Sequence, residues 1–131
     1  MMVYLRNEFV SYEIALALKE LGFNHPCFGY YDSEWDFKFL PNKTKFLECE
    51  IATPTFSQIF RWFRIKHNML ANVYSNASGF CYEYSDTIGG THRLDSGFDG
   101  PNNSGCWDSY EEAELACIKK LIEEVTNGII R

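Results

Sequence analysis

The chain has 131 residues, 46% of them hydrophobic and 17% aromatic, which is the composition of a folded domain able to bury a core without staples. Its formal net charge of −6 argues against a protein that coats the phosphate backbone of a nucleic-acid polymer. No run reaches the roughly 18–20 apolar residues of a membrane span, and Met1–Leu5 lacks the apolar run of a signal peptide, so a cytoplasmic protein is expected.

The first helix is predicted over Ser11–Leu21. Ser11 caps it, and Ile14, Leu18 and Leu21 repeat at the spacing of a buried stripe. Gly22 supplies a left-handed stop, Phe23 the apolar contact that accompanies such a stop, and His25-Pro26 blocks continuation. Three strands follow: Cys27–Tyr31, Asp36–Leu40 after a hairpin at Asp32-Ser33, and Lys45–Glu50 after a turn at Pro41-Asn42. Trp35 stands at the shoulder of that hairpin.

Thr53–Met69 reads as a second helix, with Thr53 as cap and Pro54 in the first turn. Phe56, Ile59, Phe60 and Phe63 form one apolar stripe, and Trp62, Ile65 and Met69 form another on the opposite side. A small domain buries one face of such a helix. The second is expected to meet a partner subunit, a ligand or a covering loop. Arg61 and Arg64 lie along one margin between the stripes and Lys66 along the other.

Leu70–Ser75 and Phe80–Asp86 read as strands around the turn Asn76-Ala77-Ser78-Gly79, and Thr91–Leu94 as a short additional strand. Asp95–Gly105 is rich in Gly, Asn, Ser and Asp and reads as a loop. The last helix opens on the capping box Ser109-Tyr110-Glu111-Glu112, buries Leu115, Ile118, Ile122 and Val125, and ends at Asn127-Gly128. Together these elements predict a single α+β domain over 1–131: a mainly antiparallel sheet with three helices packed on it, in the order α-β-β-β-α-β-β-α.

No motif fixes a reaction. Asp95–Gly100 resembles the start of a calcium loop, but Gly97 and Cys106 stand where ligands are required. No CxxC pair occurs among Cys27, Cys49, Cys81, Cys106 and Cys117, so neither a zinc site nor a disulfide framework is expected. No cofactor and no metal are expected. Gly89-Gly90-Thr91-His92-Arg93 reads first as a glycine turn between strands; the alternative is a backbone that approaches a ligand to which Thr91 and Arg93 donate, and the string lacks the spacing of a dinucleotide or P-loop motif. Trp107, just before the last helix, either staples that helix or stacks on a ligand. The sequons at Asn42, Asn76 and Asn102 carry no weight in a cytosolic protein.

Phe9–Leu16, Leu21-Gly22-Phe23, Pro26–Tyr31, Ala52–Thr55 and Trp107–Ala113 together resemble a family of small uncharacterised accessory proteins of tailed phages and prophages of gut anaerobes. The resemblance implies a setting, the host cytoplasm, and supplies no activity and no catalytic residues. The expectation is a non-enzymatic binding module that forms a homo-oligomer through Trp62, Ile65 and Met69. Its ligand is a small anion, such as a nucleotide-derived host signal sequestered against host defence, held by Arg61, Trp62, Arg64, Arg93, Trp107 and Trp35 through stacking and guanidinium contacts. A protein-binding inhibitor of a host enzyme is the first alternative. A nucleotide-signal hydrolase using His67 or His92 is the second.

Overall fold

In a computed structural model, the chain is described over residues 7–40, 45–88, 91–97, 99–102 and 104–128, with the backbone alone at 86–88 and 91–97. The fold is α+β with antiparallel sheets, and the strands among the described residues divide into two three-stranded sheets. The residues gather into two compact units, 1–59 and 60–131. Among the described residues no helix is long and apolar enough to cross a membrane. The predicted features at Met1–Leu5, Pro41-Asn42 and Gly89-Gly90 lie outside the described residues.

In the first unit, α1 (Tyr12–Glu20) starts where its sequence says it should, with Ser11 Oγ accepting from Ile14 N–H. It ends in a Schellman motif: Gly22, at φ +98°, donates to Lys19 O, and Phe23 N–H donates to Leu18 O. Ile14, Ala15 and Leu18 are its buried face. β1 (Gly29–Tyr31) pairs antiparallel with both β2 (Phe37–Phe39) and β3 (Ile51–Thr53). The Asp32 carboxylate closes the β1–β2 turn by accepting from the N–H groups of Glu34 and Asp36. The Val10 carbonyl ties the unit together, accepting from Tyr31 Oη at 3.0 Å and from Thr53 Oγ1 at 2.9 Å. Burial makes such bonds count, because either hydroxyl left unpaired would cost about 1–3 kcal/mol.

The third strand differs from its predicted place. Over Lys45–Glu50 the chain turns instead: Glu50 Oε1 accepts from Leu47 N–H, Glu50 N–H donates to Leu47 O, and pairing begins only at Ile51. The second helix, α2 (Phe56–His67), is shorter than Thr53–Met69 at both ends. Thr53 is a buried strand residue, held extended by the proline after it, and Thr55 is the cap, its Oγ1 accepting from Gln58 N–H. At the other end Asn68 adopts φ +55°, which stops the helix and leaves Met69 to open the next strand.

In the second unit, β4 (Met69–Asn76), β5 (Gly79–Ile88) and β6 (Thr91–Gly97) form a meander in sequence order. Asp95–Gly97, expected in a loop, extend β6. α3 (Tyr110–Thr126) packs on β4 and β5. Its box is modified: Glu112 N–H donates to Ser109 Oγ as predicted, but the Glu112 carboxylate accepts from the Ser109 hydroxyl. Its buried face is Ala113, Cys117, Ile118, Leu121 and Glu124, rotated from the predicted stripe, so that Leu115, Ile122 and Val125 are only half-buried. Glu124 is buried beside Lys120, which it meets at 3.4 Å.

The expectation of unpaired cysteines is corrected at one pair. Cys81 on β5 and Cys106 are joined by a disulfide, both fully buried. The segment carrying Cys106 is hooked to β5 by Phe80 and Trp107, which exchange two main-chain hydrogen bonds at 2.9 Å.

Candidate functional site

The first unit holds a cleft of about 580 Å³, within the range of small-molecule sites. One wall is the C-terminal end of α1, with Lys19, Gly22, Phe23 and Asn24. The other is Lys45–Glu48 with Glu50, and Ala52 of β3 also lines it. The turn that displaced the predicted third strand is therefore what makes this wall.

Lys19 braces the two sides by donating from Nζ to Glu48 O at 2.8 Å. An ammonium group has three N–H bonds, so this brace leaves donors over. Lys45 adds a second, exposed ammonium. Of the carboxylates, Glu50 is engaged by Leu47 N–H, and Glu48 is exposed. Apolar surface comes from Phe23, Ala52, Leu47 and Phe46, whose ring lies 5.9 Å from that of Tyr30. The arrangement offers an apolar bed with cationic donors along it, suited to a ligand with a flat or aliphatic body and one anionic group.

The residues singled out from sequence occupy other places. Arg61 and Arg64 are exposed on α2. Trp62 is 5% exposed and packs edge-on against Phe63 and His67, at 5.1 and 5.0 Å. Of the stripe predicted to meet a partner subunit, Trp62 and Met69 are thus buried within the single chain, and only Ile65, 72% exposed, stands open. The reason is local: Asn68 turns Met69 off the helix and into the core. Trp35 takes φ +67° in the hairpin turn and is 69% exposed, its ring 5.5 Å from Tyr12. Trp107 is half-buried with its ring 5.6 Å from Tyr82. Arg93 and His92 fall in β6, where the backbone alone is described.

The imidazole of His67 is partly buried between Trp62 and Phe63, and its Nε2 has no hydrogen-bond partner. Desolvation, then the nearby Lys66 charge, pushes its pKa below the usual histidine value. The unfolded chain therefore binds the proton better, so stability is full above about pH 6.5 and falls as pH drops through the window beneath it. His67→Phe is expected to flatten that fall, read as melting temperature between pH 7.5 and pH 5 for the two proteins. Equal slopes in both would assign the acid sensitivity to other groups.

Cys27 donates its S–H to the carbonyl of His25 at 3.3 Å, not to an imidazole. Burial pushes the thiols of Cys27 and Cys117 up to about 12, so both stay protonated at neutral pH and are poor nucleophiles. Lys45, Phe46 and Lys19 were not legible as a site, because two of them fell in a stretch that scans as a strand. No family model matches this chain, and neither a curated protein nor a solved structure matches it.

Proposed function

We propose that the chain is a non-enzymatic binding module for a small ligand with an apolar body and one anionic group, held in the cleft between α1 and Lys45–Glu50. The observation that carries this reading is the pairing of an apolar recess of about 580 Å³ with the ammonium groups of Lys19 and Lys45. A nucleotide-derived signal falls within that ligand class, and sequestration of such a signal by a phage-type accessory protein is the setting proposed with it. In a reducing cytoplasm the complete burial of Cys81 and Cys106 is what protects their bond from thiol exchange.

The probe is 8-anilinonaphthalene-1-sulfonate, which has both features. Saturable fluorescence enhancement is expected with the native protein. Ala52→Trp, which fills the recess, should abolish it. Lys45→Met, which leaves the Lys19 brace intact, should weaken it about tenfold, the effect of losing one charge-assisted contact. Circular dichroism checks that both variants are folded. Unchanged affinity in both variants would remove the cleft as the binding site.

A further inference from the structure

β4 is an outer strand: it pairs with β5 on one side and with no other strand among the described residues. Phe80 shows which of its main-chain groups point outward. The N–H and C=O of Phe80 both bond to Trp107, so both point away from β4. Ser75 and Phe80 are therefore a non-hydrogen-bonded pair in the β4–β5 ladder. Alternation then turns the N–H and C=O of Met69, Ala71, Val73 and Ser75 toward the open edge.

Outer strands are ordinarily guarded by lysine, proline, a bulge or shortness. β4 has eight residues, Met-Leu-Ala-Asn-Val-Tyr-Ser-Asn, in unbroken register with β5 from Met69 to Asn76. It carries none of those guards. No acidic or basic residue other than His67 occurs between Lys66 and Glu83. In a chain of net charge −6, this is a stretch that two copies can bring together without like-charge repulsion.

We propose that two copies of the chain pair antiparallel along β4, about a two-fold axis at Asn72. This register brings every outward-facing residue into a pair, Met69 with Ser75 and Ala71 with Val73 in both directions, for about eight main-chain hydrogen bonds. On the other face of the strand it sets Leu70 of one copy opposite Tyr74 of the second, on either side of an Asn72–Asn72 pair. Such aliphatic–aromatic cross-strand pairs are favourable. Leu70 is 49% exposed in the single chain. A shallow hollow of about 140 Å³ bordered by Leu70, Asn72, Glu83 and Ser85 leaves room there for the Tyr74 ring of the second copy. The pattern is complementary to itself, which favours a second copy over a foreign strand.

The test uses the full chain with the exposed Cys49 changed to Ser. Asn72→Cys, treated with glutathione disulfide, should give a covalent dimer on a non-reducing gel, because a non-hydrogen-bonded pair sets the two Cα atoms about 4.5 Å apart. Two thiols are oxidised and the glutathione disulfide is reduced. Leu70→Cys lies about 13 Å from its own copy in this register and should not cross-link. In sedimentation the parent should be a dimer. Val73→Pro removes an outward donor without touching the β4–β5 ladder, and Asn72→Lys sets like charges opposite each other; each is expected to weaken the dimer about tenfold or more. A parent that stays monomeric at its solubility limit overturns the proposal. So does a dimer that neither variant weakens, or cross-linking of Leu70→Cys as efficient as that of Asn72→Cys.

Discussion

Removing the Cys81–Cys106 bond with Cys81→Ala and Cys106→Ala is expected to lower the stability of the second unit by about 3 kcal/mol. The bond closes a loop with a sequence separation of 25, and the chain-entropy relation puts that constraint near 3.5 kcal/mol. Both sulfurs are fully buried, so the cross-link is sheltered from solvent as well as short in reach. What it fastens is a segment with little core of its own. Its described residues hold themselves by turns, Gly100 N–H to Gly105 O and Gly105 N–H to Asn102 O, and reach β5 through the Phe80–Trp107 pair. Cys117→Ala is the control: it removes a buried sulfur without a cross-link and should cost about 1 kcal/mol. Urea unfolding followed by tryptophan emission reads both. A loss for the double variant no larger than that for Cys117→Ala would mean that the hydrogen-bonded hook holds this segment unaided.

The features legible in the sequence are those whose physics closes within about five residues. Ser11, the Gly22-Phe23 stop and Ser109 with Glu112 each settle a helix end with groups from that same turn, so their residue types suffice to place them. Thr53 failed by the same logic applied one step too early: two threonines flank Pro54, and only the extended preference of the residue before proline separates strand from cap. Asn68 is a helix stop of the less common kind, asparagine in place of glycine. The rotation of α3 has a different origin. Its apolar residues cover more than half of the helix surface, so periodicity leaves the buried face open, and packing on β4 and β5 selects the face that carries Ala113 and Cys117. The disulfide and the cleft stayed hidden because each joins stretches about twenty-five residues apart or more, Cys81 to Cys106 and Lys19 to Lys45. Spacing along the chain has no access to such pairings.

The sharpest probe of the hook is a single methyl group. Gly79→Ala is expected to destabilise the second unit by about 3–4 kcal/mol. Gly79 stands at φ +129°, where a side chain is strained, and a Cβ there would lie 2.5 Å from the carbonyl oxygen of Trp107. That oxygen accepts from Phe80 N–H and belongs to backbone, so relief requires moving the Trp107 strand off β5. The cost then adds backbone strain of about 1–3 kcal/mol to the loss of two hydrogen bonds worth about 1 kcal/mol each. Gly22→Ala separates the two contributions. Gly22 is also left-handed, at φ +98°, but a Cβ there meets nothing within 4 Å, so only the strain remains, about 1 kcal/mol. Thermal unfolding of the two variants gives the difference directly. If Gly79→Ala costs no more than Gly22→Ala, the close approach of Trp107 to β5 contributes nothing to the stability of the second unit.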